Sequence, residues 1–108
     1  MARQVAIVQW TASALAALRR VGSQTIRRKI VEKVDALAAT PDPRQLGKPL
    51  QDELQGLFRL SFGRYRIIYR VDHSGQVVIV VVMVGIRKQG DKIDVYELAR
   101  RLQRQRKL

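Results

Sequence analysis

The residues of this chain best suited to chemistry are arginines and tyrosines, and many of them fall in one stretch of alternating character. Leu57-Phe58-Arg59-Leu60-Ser61-Phe62-Gly63-Arg64-Tyr65-Arg66-Ile67-Ile68-Tyr69-Arg70-Val71-Asp72 reads as a tight β-hairpin. Every second residue of a strand shares a face. Phe58, Leu60 and Phe62, with Tyr65, Ile67, Tyr69 and Val71 across the turn, therefore form one apolar set. Arg59, Arg64, Arg66 and Arg70 fall on the opposite face with Leu57, Ser61 and Ile68. An arginine-bearing sheet face suits a polyanion, because the guanidinium fork matches phosphate oxygens two at a time.

Such residues support metal-free phosphodiester cleavage. RNA carries its own nucleophile, the ribose 2′-hydroxyl. A catalyst must then supply a base, stabilisation of charge on the phosphorane and a proton for the leaving oxygen. Arginines provide the second. A tyrosine or lysine whose pKa is lowered by neighbouring positive charge provides the others. Arg59, Arg66, Arg87 and Tyr96 are the candidates: Arg87 follows an apolar strand and Tyr96 opens the last helix. The competing reading is a solvated arginine face with tyrosines at the core edge.

Other chemistries lack their residues. There is no cysteine, and the one histidine, His73, falls in an expected turn. Thiolate catalysis, disulfides, histidine-pair hydrolysis and Ser-His-Asp arrangements are thereby excluded. Neither a phosphate-binding glycine loop nor a dinucleotide fingerprint is present. The acids are scattered, so no metal site and no cofactor are expected.

The 108 residues hold 21 Lys+Arg against 9 Asp+Glu, a net charge of +12, and 15 of the cations are arginine. The length fits a single domain over residues 1–108 with one core. A basic excess of this size points to a nucleic acid, an acidic protein or a membrane surface. The longest apolar run, Val77 to Ile86, is ten residues, short of the roughly 20 a membrane span needs. With no apolar leader at the N-terminus, a cytoplasmic protein without membrane contact is expected.

Around the hairpin, the pattern predicts a first strand over Val5 to Gln9 and a helix capped by Thr11 or Ser13, broken at Gly22-Ser23. A second helix spans Ser23 to Ala39, with Ile26, Ile30, Val34 and Leu37 at helical spacing. Thr40 to Gly56 reads as a loop. Asp72-His73-Ser74-Gly75 is expected as a turn into a strand from Gln76 to Ile86, whose continuous apolar run implies cover on both faces. Gln89 to Lys92 is a further loop, and Asp94 to Lys107 a basic helix apolar only at Val95, Leu98, Ala99 and Leu102. The order β-α-α-β-β-β-α predicts an α+β fold: a sheet antiparallel from Leu57 onwards, with a helical hairpin and the remaining helix on one face.

The segments Leu57-Phe58-Arg59-Leu60, Gly63-Arg64-Tyr65-Arg66-Ile67-Ile68-Tyr69, Val84-Gly85-Ile86-Arg87-Lys88 and Asp94-Val95-Tyr96, with the Lys48-Pro49-Leu50 loop before them, resemble the RelE/ParE superfamily of type II toxin–antitoxin toxins. The resemblance runs through the chain and lies closer to the RelE-like branch. It implies a ribosome-dependent endoribonuclease that cuts mRNA by 2′-hydroxyl attack, with Arg66, Arg87 and Tyr96 in the active site and Arg59 on the strand that carries further basic groups. Arg64, Arg70, Lys48 and Lys88 are read as flanking RNA contacts. It also implies a cognate antitoxin, a toxin–antitoxin hetero-oligomer and contacts with ribosomal RNA. Members of the other branch poison DNA gyrase, and a catalytically inactive member binding only antitoxin or RNA is the third reading. Two departures stand out. A position that carries lysine, the expected base, in RelE members is Leu57 here, and Gln89 to Ile93 lengthens the path from Arg87 to Tyr96. Arg59 is no substitute base, since it stays protonated.

Overall fold

A computed structural model describes residues 6–105. The last strand to form in sequence is the centre of the architecture. Strand order is β1(Ile7–Trp10), β5(Gln76–Ile86), β4(Tyr65–Ser74), β3(Phe58–Phe62), β2(Lys48–Pro49). β1 runs parallel to β5, and every other pairing is antiparallel. The unbroken Val/Ile run of β5 is thus flanked by strands on both sides, and Ile79 to Val84 are all buried. The expectation of a doubly covered central strand is met. Val5, the expected start of the first strand, lies outside the described residues.

The helical hairpin α1(Ala12–Arg19) and α2(Gln24–Ala38) covers one face. Thr11 caps α1, its Oγ1 accepting from the Ala14 amide at 3.1 Å and donating to the Val82 carbonyl at 3.3 Å, so one residue both starts the helix and ties it to β5. Ser23 caps α2 through the Ile26 amide. Ile30, Val34 and Leu37 are fully buried on the helical stripe. They meet Ile67, Val81 and Val84, and further along Tyr69 and Ile79.

The last helix, α4(Val95–Arg104), departs from expectation. It packs on the opposite, arginine-bearing face, where Val95 and Ala99 join Leu54, Leu57, Ile68, Val80, Val82 and Met83. The reason lies in β4: Ile67 and Ile68 are neighbours on opposite faces and both are wholly buried, so each face needs a cover. Arg106 and Lys107, expected in this helix, lie outside the described residues.

Two loops are more ordered than their composition suggests. Within Thr40 to Gly56 the chain forms α3(Pro43–Leu46), β2 and a 3-10 turn at Asp52–Leu54. Asp42 caps α3, and Pro43 stands at its start, where a missing amide costs nothing. The segment is held from beneath by Tyr69, whose hydroxyl donates to the Pro43 carbonyl at 2.8 Å. Asp72 and His73 belong to β4 rather than to a turn, paired with Val78 and Val77. The reversal is made by Gly75 alone, at φ 89°, so the ladder continues to Ser74. Among the described residues, no helix is long and apolar enough to cross a membrane, and no acidic or histidine cluster is suited to a metal.

Candidate active site

The site is assembled where α4 begins over the end of β5. Gly85 pairs with Arg66 across the β4–β5 ladder, and the ladder is extended by the Arg87 amide donating to the Arg64 carbonyl at 2.9 Å. A methyl group at Gly85 would lie 3.4 Å from Val95 Cβ, so α4 crosses the strand at its one glycine. That crossing sets Tyr96 beside the Arg87 segment, half-buried against the core under α4.

Asp94 fixes the geometry. It is buried, with 6% exposed, and its carboxylate does two tasks. Oδ1 accepts from the Lys88 amide at 2.6 Å, while Oδ2 accepts from the Tyr96 and Glu97 amides at 3.1 and 3.3 Å. The last pair is a helix cap, and the first ties the cap to the residue after Arg87. Between them, the Gln89 to Ile93 segment closes into turns, with Asp91 bonded to the Ile93 amide and Asp94 to the Lys88 amide. The segment's two ends are thereby joined. The Ile93 amide, followed by the Lys88 ammonium at 3.3 Å, holds the Asp91 carboxyl below the usual range.

The result is an open groove of about 530 Å³ whose lining includes Arg87, Asp91, Lys92, Asp94, Tyr96 and Arg100. Glu97 is in the same lining, engaged by Arg100 at 3.3 Å, Arg101 at 3.8 Å and Arg104 at 3.7 Å. Each groove carboxylate thus has a partner: Asp91 an ammonium, Asp94 three amides, Glu97 three guanidiniums.

The sequence-predicted residues divide over this surface. Arg87 and Tyr96 share the groove. Arg66 stands one strand away, half-buried, its Nη1 donating to the Gly63 and Tyr65 carbonyls at 2.8 and 2.9 Å. Its guanidinium is thereby held over the β3–β4 turn, while its buried Nε has no partner. Arg64 is exposed in that turn. Arg70 lies farther along β4, paired with Asp72 at 3.4 Å. The Lys88 ammonium is engaged by Asp91. Arg59 and Lys48 face each other across the β2–β3 ladder and line a different groove, with Lys33 and Ser61. Leu57 is buried in the core, with 6% exposed, so its side chain does not reach the groove.

Sequence reasoning missed four contributors. Asp94 was legible as a helix start, but not as the acceptor for Lys88. Asp91 and Glu97 gave no signal beyond being acids near Tyr96. Lys33 was placed on the solvated side of α2, where nothing in the local pattern announces a groove.

The fold is shared with solved toxin structures. A chain of the RelBE2 toxin–antitoxin complex of Mycobacterium tuberculosis is 30% identical, with a TM-score of 0.68 over 80% of this chain and 95% of that one. The free Escherichia coli RelE double mutant shares the fold at 18% identity, with a TM-score of 0.67 over 94% of this chain and 98% of that one. The toxin RelG of Mycobacterium tuberculosis is 40% identical over 40 residues, 37% of this chain and under half, 46%, of that protein. Residues 8–90 match the family described as ParE toxin of the type II toxin-antitoxin system parDE. The chain belongs to this family, and with it to the RelE/ParE superfamily of toxins. The matched stretch ends at Gly90, before Asp94 and Tyr96.

Proposed function

We propose that this toxin is a ribosome-dependent endoribonuclease of the RelE-like kind, cutting mRNA by attack of the 2′-hydroxyl on the adjacent phosphate. The observation that carries the reading is the shared groove of Arg87 and Tyr96, with Arg66 one strand away. Arg87 binds the scissile phosphate and stabilises its developing charge. Tyr96, on the first turn of α4, orients the reacting groups and assists proton transfer. Arg66 adds positive potential from the adjoining strand.

Among the described residues of the groove, no unengaged carboxylate completes the set as a base. Leu57 is in the core, and the groove carboxylates are all engaged. Cleavage then rests on charge stabilisation, orientation and the proton transfer that Tyr96 assists, with water taking up the 2′-hydroxyl proton in place of a dedicated carboxylate or lysine base. The partners that fit are a cognate antitoxin with an acidic segment over the basic face, as a hetero-oligomer, and mRNA with ribosomal RNA on the ribosome. A cytoplasmic location follows from that target.

The second reading, a gyrase poison, is favoured by the ParE description of the matched family and by the engagement of every described groove carboxylate. Growth after induction separates the two. Arrest that is lost in Arg87→Ala and reduced in Tyr96→Phe, without induction of a DNA-damage reporter, supports the ribonuclease. Arrest that survives both substitutions and switches the reporter on moves the assignment to gyrase.

A further inference from the structure

The groove of Arg87 and Tyr96 carries nearly as much negative charge as positive, an adverse wall for a polyanion. Its carboxylates differ in how far they are withdrawn from it. Glu97 is engaged by Arg100 and Arg101, cations of the same lining, at 3.3 and 3.8 Å. Asp94 is buried and turned to three amides. Among the described residues, no carboxylate pairs with Arg87 or Lys92, the other two cations of the groove. Asp91 is the remaining carboxylate of that wall, only partly buried and bonded to no cation of the lining.

The turn fixes Asp91 in place. Its amide donates to the Lys88 carbonyl at 3.0 Å, and its own carbonyl accepts from the Asp94 amide at 3.1 Å. Oδ1 accepts from the Ile93 amide at 3.0 Å, and Oδ2 holds the Lys88 ammonium at 3.3 Å. Lys88 directly follows Arg87, yet it does not line the groove. The ion pair thus sets its anion in the groove wall and its cation outside. A phosphate approaching Arg87 therefore meets the carboxylate first.

We propose that Asp91 is a specificity-determining residue that excludes free RNA from the groove, admitting a phosphodiester only where the ribosome holds it in place. The inference rests on the ribonuclease reading above and assigns its ribosome dependence to one side chain. Two unit charges about 6 Å apart near a protein surface change binding by roughly three- to tenfold. Such a penalty weighs on RNA arriving from solution. It is small beside the effective molarity, on the order of 10⁵ M or more, of a well-positioned reactant.

The test compares the full chain with Asp91→Asn, which removes the charge and keeps an oxygen for the Ile93 amide. The control, Asp35→Asn, removes the same charge from an exposed position on α2. Binding is read by fluorescence anisotropy on a fluorescein-labelled 2′-O-methyl oligouridylate, which lacks the attacking hydroxyl. Cleavage is read on free RNA and on mRNA loaded on ribosomes. Asp91→Asn should lower the Kd for the free oligonucleotide roughly three- to tenfold, and should speed cleavage of free RNA by a larger factor than cleavage on the ribosome. Asp35→Asn should do neither. Circular dichroism checks that both fold, and Asp91→Ser, which also offers an oxygen to the amide, serves if the asparagine variant does not. Equal gains in the two variants would overturn the proposal, as would unchanged or weaker binding by Asp91→Asn. So would a wild type that cuts free RNA as fast as mRNA on the ribosome. Tighter binding confined to Asp91→Asn, with no cleavage on ribosomes by any form, overturns the ribonuclease reading alone.

Discussion

Asp94 and Lys88 are joined by a 2.6 Å hydrogen bond from the Lys88 amide to Asp94 Oδ1, and this contact makes Arg87 and Tyr96 neighbours. The same carboxylate caps α4 with its other oxygen. The Gln89–Ile93 segment between these residues is closed at its ends through the Asp94 side chain.

Asp94→Ala removes the cap and the clamp together. Loss of an N-cap costs about 0.5–2 kcal/mol, and the orphaned Lys88 amide adds to that. Urea unfolding should place the variant about 2 kcal/mol below wild type, with activity falling further than stability explains. Asp94→Asn, which keeps an acceptor, should recover part of both. A variant as stable and as active as wild type would remove Asp94 from the account.

Tyr69 anchors the 43–49 segment from the core. Its hydroxyl bonds to Pro43, and burial pushes its pKa up to about 12. Tyr69→Phe should cost about 0.5–1.5 kcal/mol. Gly47→Ala should cost more, since a Cβ there would lie 2.1 Å from the Tyr69 hydroxyl and 3.0 Å from the Arg59 carbonyl. A raised phenol pKa means that the folded state holds its proton longer. Its contribution is therefore complete below the unfolded value near 10 and is lost as pH rises through about 12. The stability gap between wild type and Tyr69→Phe, followed by urea unfolding, should narrow across that window.

Much of the fold was legible because its signals are local and periodic. Ile30, Val34 and Leu37 marked one stripe of α2, and the Val77 to Val84 run marked the central strand. The side taken by α4 was harder, since Val95, Leu98, Ala99 and Leu102 fit either face. The adjacent pair Ile67-Ile68 held the answer, as two neighbours on a strand are both buried only where both faces are covered. The site was legible in its residues but not in its grouping. Arg59, in the hairpin, and Arg87, after the apolar strand, form one candidate set in the sequence, yet they line separate grooves at the edge of β3 and the start of α4. The direction taken by Arg66, toward the Gly63 carbonyl, depends on a turn geometry that side-chain alternation does not encode.

The outer end of α4 is tied to the 3-10 turn by Arg104, whose Nε and Nη2 meet the Glu53 carboxylate at 2.9 and 3.0 Å. The Arg104 guanidinium holds the Glu53 carboxyl below its usual pKa. The tie is therefore present above the unfolded carboxylate range and lost as pH falls through the lowered folded value. Hydrogen exchange at residues 102–105 should speed up in Glu53→Gln, at acid pH and in high salt, the pair being exposed. Exchange rates indifferent to all three would show that the tie does not hold the helix end.

Leu57 tests why the expected base is missing. Leu57→Ala should cost about 2–4 kcal/mol, as for other buried leucines. Leu57→Lys should destabilise the fold and leave cleavage no faster, because the side chain enters the cluster of Leu54, Ile68 and Val82. Unfolding curves and cleavage rates of the two variants check this, and a stable, faster Leu57→Lys protein would put that position back in the site.

The most direct measurement is a primer-extension map of cellular mRNAs after brief induction of the toxin without antitoxin, beside the Arg87→Ala variant. The account predicts cuts within translated regions, biased in codon phase and absent from the variant. Intact mRNA under growth arrest, or the same cuts with Arg87→Ala, would contradict it.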